Sequence, residues 1–229
     1  MSALVASLSP SHMPLGFRAG LAAALAAGLA FLLAAPLIDG AVQVALKGSG
    51  AALLAVSALQ LKAPGARVLA AVMALGALGD VLLEIPGLFI AAAASFAAGH
   101  AVAIALYLRH RRDAGTADRL IAVGLILFGL AMPALVTPAD KPFGLTMVYA
   151  VLLTAMTASL WLSRFPRLAA LGAIAFVVSD TLLVIRMGGG RVAGPMIDSA
   201  LVWIFYFGGQ WLITLGVGRG LLGRAAHAA

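Results

Sequence analysis

The chain has no cysteine, so it carries no disulfide framework, no thiolate metal site and no cysteine nucleophile. It also has little charge: 10% of its 229 residues are charged, against roughly 25% in an average soluble domain. Hydrophobic residues make up 63%, more apolar surface than a soluble core can hide. The formal charge of +7 does not point to nucleic acid, because the basic residues fall in ones, twos and short clusters between apolar runs and read as topology signals.

What the chain does have is apolar runs of membrane-crossing length, near residues 16–36, 41–60, 66–86, 87–108, 118–137, 143–163, 167–187 and 197–219. Proline and glycine mark the links between them: Pro36 and Gly40, Pro64 and Gly65, Pro86 and Gly87, Pro138 and Pro142, Pro166, and Gly188 to Gly190. The runs are continuous rather than alternating, so they predict helices, not barrel strands. The expected fold is an all-α polytopic membrane protein, an eight-transmembrane-helix bundle with antiparallel neighbours. Residues 1–15 are expected to form a leader, 16–220 one transmembrane domain, and 221–229 a cytoplasmic tail. The first run is too long for a signal-peptide core and lacks a small-residue cleavage site, so it counts as a span.

Arg18, Lys62, Arg67, Arg109, Arg111, Arg112, Arg119, Arg164, Arg167, Arg219 and Arg224 fall on one side of these spans, against Lys141, Arg186 and Arg191 on the other. The positive-inside rule then puts both termini in the cytoplasm. Asp80-Val81-Leu82-Leu83-Glu84-Ile85 in the third run echoes Asp180-Thr181-Leu182-Leu183-Val184-Ile185 in the seventh. Such an echo fits either chance or two four-helix parallel repeats related by an axis along the membrane normal.

An ionisable side chain inside a span costs at least about 2.5–3.5 kcal/mol and normally faces the bundle interior or a wet cavity. Lys47, Asp80, Glu84, His100 and Asp180 are in that position. Lys47, Asp80, Tyr149 and Asp180 are expected at a common depth of about 10 Å from the non-cytoplasmic ends of their helices. His100 lies deeper, sharing a helix face with Phe96 and Tyr107, and Tyr206 shares one with Gln210. Plainer roles stand beside functional ones. Lys47 serves either as a counter-ion to an aspartate or as a substrate contact. His100 is either a satisfied core residue or a catalyst, and Tyr206 and Gln210 are either interhelical ties or cavity lining. Glu84 is near enough to the interface to be hydrated, and Arg186 can snorkel outward. Gly76, Gly79, Gly99, Gly208 and Gly209 read as positions of close helix approach. For Asp80 and Asp180 the functional reading is the stronger one, since two buried carboxylates at one depth are expensive to keep without use.

The segments Gly79-Asp80 with Leu82 and Leu83, Phe96 with Gly99 and His100, Tyr149 with Met156, Gly172-Ala173 with Phe176 and Ser179-Asp180, and Tyr206 with Gln210, Leu212 and Ile213 together resemble the YhhN family of membrane lysoplasmalogenases. The similarity runs from Lys47 to the eighth span. Two positions depart from the family pattern: Gly48 follows Lys47 where proline is usual, and Ala103 stands where a tyrosine is expected one turn after the histidine. The resemblance implies an enzyme that cleaves the vinyl ether bond of lysoplasmalogens, releasing a fatty aldehyde and glycerophosphoethanolamine or glycerophosphocholine. Its substrate would be a lysophospholipid with an alkenyl chain, and its setting a bacterial inner membrane. Asp80 and Asp180 are then the candidate catalytic residues, and Lys47, His100, Tyr149, Ser179, Tyr206 and Gln210 the candidate substrate contacts. No metal or other cofactor is expected, because one intramembrane histidine and two distant acids make a poor ligand set. Vinyl ether hydrolysis needs a proton on carbon and then water on the oxocarbenium ion, a task suited to one protonated and one ionised carboxyl. The rival expectation is a proton- or cation-coupled transporter or a lipid-handling protein using the same carboxylates. The residues leave the oligomeric state open.

Overall fold

The computed structural model describes residues 13–137 and 143–228. Lys141, Pro138, Pro142, residues 1–12 of the expected leader and the side chain of Arg224 lie outside the described part. The described chain forms eight long helices: α1 Leu15–Ala34, closed by a short 3-10 turn at Ala35–Leu37, α2 Gly40–Leu59, α3 Ala66–Leu83, α4 Phe89–Arg109, α5 Thr116–Val136, α6 Phe143–Trp161, α7 Arg167–Met187 and α8 Pro195–Ala228. All eight are long and apolar enough to cross a membrane, and among the described residues there is no strand. The protein is an all-α integral membrane bundle.

Most helix ends fall where proline and glycine place them, with two differences. α3 stops at Leu83 rather than near residue 86, because the residue before Pro86 is pushed out of the helical region and Gly87 turns the chain with φ +83°. Asp80 therefore sits one turn from the helix end, with Glu84 as the capping residue. α8 runs on to Ala228, past its expected end at 219. Two of its late glycines are packing positions and not stops: a Cβ at Gly218 would lie 2.5 Å from the Phe17 ring, and one at Gly220 would lie 2.5 Å from the Phe165 ring.

Sequential helices pack side by side through α4, and α5 pairs with α6 as α7 does with α8. The two sets join where α4 meets α6 and where α8 crosses α1, α2 and α3. Four of the five glycines expected at close approaches are at such points. A Cβ at Gly79 would enter the Phe96 ring at 2.7 Å, one at Gly209 would lie 2.5 Å from the Gly172 carbonyl oxygen, one at Gly76 would press on the Gln210 amide at 3.1 Å, and one at Gly99 would touch Leu75 at 3.4 Å. Gly208 has nothing within 4 Å of its would-be Cβ, because it faces away from the contact that its neighbour makes.

The face where α1 begins and α8 ends is riveted by polar contacts. Asp118 accepts from Arg112 at 2.6 Å and from the Trp161 indole at 3.0 Å, and it also pairs with Arg167, whose guanidinium lies 4.2 Å from the Trp161 ring centre. Arg112 N donates to Leu162 O and Arg164 N to His110 O, so the α4–α5 and α6–α7 links are tied to each other. On the opposite face, Asp198 accepts from Val192 N at 3.2 Å and Ala193 N at 2.9 Å and so fixes the link between α7 and α8.

Candidate active site

In the half of the bundle away from the termini, the helices enclose a cavity of about 900 Å³. Its walls come from the late turns of α1, α3 and α7 and the early turns of α2, α4, α6 and α8, the arrangement that antiparallel neighbours impose on one end of a bundle. Most of the lining is apolar. Six of the eight residues singled out from sequence line it: Lys47, Asp80, Tyr149, Ser179, Asp180 and Tyr206. The two carboxyls thus face one chamber, although they come from helices in different halves of the chain.

Each acid is held by a phenol. Tyr206 Oη on α8 donates to Asp80 Oδ2 at 2.8 Å, and Tyr149 Oη on α6 donates to Asp180 Oδ2 at 2.7 Å. Asp80 is 1% exposed and Asp180 8%, so the phenols take the place of water around groups that cannot stay unpaired in an apolar interior. The chain has three tyrosines, and these are two of them.

His100 and Gln210 do not line the main cavity. They lie beneath it around a second, much smaller one of about 10 Å³, which Tyr107 also borders. The His100 Nε2 atom is 3.4 Å from Tyr149 Oη. The histidine with no tyrosine one turn later on its own helix therefore meets one from α6. Phe176 packs edge-on against His100 at 5.3 Å and Tyr206 at 5.0 Å, an aromatic floor between the chambers. Gln210 sits one turn below Tyr206, and Gly76 leaves room for both polar ends. Ser179 faces the main cavity while donating its hydroxyl proton to Val202 O at 2.9 Å, tying α7 to α8.

Lys47 lines the chamber, and its ion-pair partner is neither aspartate. Its ammonium pairs with Glu84, and Gln43 one turn earlier on α2 donates to the other oxygen of that carboxylate at 2.9 Å. Glu84 is thus bound on both oxygens and not merely hydrated. Two signals in the chain point to this cluster: Gln43 and Lys47 share an α2 face, and Glu84 follows Asp80 by one turn. Arg186, at the cavity wall, is exposed.

Fold and site together define a polytopic helical membrane protein whose buried carboxyl pair faces a large apolar chamber in one half of the bundle. The YhhN family model matches residues 42–217, from the second helix to the last, and the chain belongs to the YhhN family. No curated protein and no solved structure matches it.

Proposed function

We propose that the protein is a membrane hydrolase of the lysoplasmalogenase type, cleaving the vinyl ether bond of a lysophospholipid. The observation that carries this reading is the shared chamber: two buried carboxyls, each oriented by a tyrosine, open on one apolar cavity of about 900 Å³, the size of a small-molecule site.

The chemistry follows from the groups present. One aspartic acid gives its proton to the outer carbon of the C=C–O unit, and the ether oxygen's electrons flow in to form an oxocarbenium ion. The other carboxylate faces that cation and takes a proton from the water that attacks it, as carboxyl pairs do around a glycosyl cation. The hemiacetal formed then breaks its C–O bond, its hydroxyl proton leaves, the departing glycerol oxygen gains one, and a fatty aldehyde is released. Apolar walls supplied by Phe31, Leu32, Leu83, Phe96 and Leu183 suit the alkenyl chain. With the Lys47 charge committed to Glu84, Arg186 at the cavity wall is the better candidate for the phosphate. The basic residues of the terminal face put the termini in the cytoplasm and turn the chamber towards the other leaflet, in what we take to be a bacterial inner membrane.

A proton- or cation-coupled transporter would use the same carboxylates but needs a route to both faces. Below the acids the bundle is filled by Leu69, Met73, Tyr107, Leu153, Leu160 and Val217, each at most 1% exposed, which favours a one-sided reaction chamber. Detergent-purified protein incubated with a panel of alkenyl lysophospholipids is expected to release aldehyde, and Asp80→Asn and Asp180→Asn are each expected to reduce that release by about 100-fold or more while the protein stays folded. Near-normal turnover by either mutant defeats the assignment, and a transported but chemically unchanged solute establishes the rival.

A further inference from the structure

We propose that the chamber opens sideways into the bilayer through a slot between α1 and α8, and that this slot takes the hydrocarbon chain of a membrane lipid. What becomes of that lipid inside rests on the hydrolase reading; the slot itself does not.

In their deeper halves α1 and α8 are locked together. The Trp211 indole donates to Leu21 O at 3.0 Å, the Trp203 indole to Gly28 O at 2.9 Å, and the Phe207 ring fills the place where Gly28 has no side chain. Phe31 lies over Trp203 with ring centres 4.4 Å apart. Past that aromatic pair, Leu32 on α1, Ala35 and Pro36 in the turn that closes it, and Met196, Ala200 and Ile204 on α8 border the cavity.

The α8 residues fall at helical spacing with Trp203, so they form one continuous face above it. Ile204 is the informative member, since it borders the cavity and yet is 48% exposed. Together with Met196, which also borders the cavity and is 72% exposed, it leaves this wall of the chamber uncovered, which marks an opening. Ile204 lies nine residues into α8, about 14 Å from the helix start at 1.5 Å per residue, so the opening lies at hydrocarbon depth and not among the headgroups.

The walls name the occupant. Leu32, Ala35, Pro36, Met196, Ala200 and Ile204 offer no side-chain hydrogen bond, and the one hydroxyl on this stretch of α8, Ser199, is donated to Pro195 O at 2.7 Å. A polar solute crossing here would leave its water and gain no partner, whereas an alkyl chain of the surrounding bilayer would pass from one apolar setting to another. A chain laid along the slot would come to rest on Trp203, whose ring is 5.7 Å from that of Tyr206, the phenol bound to Asp80. The slot therefore leads from the acyl region of the membrane to the carboxyls without moving a headgroup through the bundle.

The test uses vesicles of phosphatidylcholine carrying a diazirine near the end of one acyl chain, with the full-length protein reconstituted, illuminated and mapped by peptide mass spectrometry. Adducts are expected at Trp203 and Tyr206, which are 6% exposed and out of reach of lipid surrounding the bundle, as well as on the outer side of α5 at Leu120 and Leu127. Ala200→Trp should abolish the inner adducts and leave those on α5 unchanged. Leu32→Trp, from the opposite wall, should do the same and stands in if the first variant does not fold. Inner adducts that are absent from the wild type, or that survive both obstructions, overturn the slot. Adducts that behave as expected in a protein releasing no aldehyde would leave the slot standing and remove the hydrolase.

Discussion

Tyr206 and Asp80 meet at 2.8 Å although 126 residues separate them in the chain, and Tyr149 and Asp180 repeat the arrangement at 2.7 Å across 31. In both pairs the phenol occupies Oδ2 and leaves the second oxygen for reacting groups. A hydrogen bond to a charged group is worth about 1.5–3 kcal/mol. Tyr206→Phe and Tyr149→Phe should therefore each slow aldehyde release by about 10- to 100-fold. Because each phenol hydroxyl is bound to its acid, the fall should appear in kcat with KM nearly unchanged. A phenylalanine variant with wild-type kcat would show that the acids work without the phenols.

Lys47 and Glu84 form a part-buried ion pair beside the chamber, and their contribution is best read by removing them together. Lys47→Met leaves Glu84 with Gln43 alone inside an apolar wall. Breaking such a pair from one side costs about 3 kcal/mol, because the surviving charge stays desolvated. The double variant Lys47→Met with Glu84→Gln removes both charges and should regain most of that loss. Thermal unfolding in detergent of the two single variants and the double checks this. Strictly additive losses would mean that Lys47 has another partner of equal weight.

The fold was legible because lipid allows few solutions: continuous apolar runs of about 20 residues broken by proline and glycine can only be spanning helices. The acids were legible because an intramembrane carboxyl is costly enough to stand out in a chain with so little charge. Their partners were not. Nothing in local spacing says that Asp80 takes its phenol from α8 and Asp180 from α6, since that depends on how distant helices cross. Lys47 illustrates the same limit: the pattern offers either aspartate as its partner, but Glu84, just past the end of α3 at Leu83, takes the ion pair. The YhhN resemblance was legible from short segments in order, because their spacing survives even where single residues depart.

Arg186 is exposed at the chamber wall, while Lys47, which also lines the chamber, is paired with Glu84. A guanidinium there should hold the substrate's phosphate in ground state and transition state alike, a uniform contribution that moves KM and not kcat. Arg186→Gln is expected to raise KM for a phosphate-bearing substrate by about fivefold, the modest value of an exposed ion pair. A vinyl ether substrate with no phosphate should respond equally to the wild type and the variant. If both substrates lose affinity alike, the arginine is supporting the chamber mouth and not reading a headgroup.

Gly208 and Gly209 are adjacent on α8 and offer a matched comparison. A methyl at Gly209 would lie 2.5 Å from the Gly172 carbonyl oxygen, and backbone on that side belongs to α7, the helix that carries Asp180 two turns later. The clash cannot be relieved by rotating a side chain, so the helices must part, at about 1–3 kcal/mol for overpacking. Tyr206, one turn away on the same helix, should move with them. Gly209→Ala is therefore expected to lower Tm and aldehyde release together. Gly208→Ala meets nothing within 4 Å and removes a glycine from a helix interior, which should leave activity intact and hold Tm level or raise it. Equal behaviour of the two variants would show that the close α7–α8 approach is not what keeps the Tyr206 hydroxyl on Asp80.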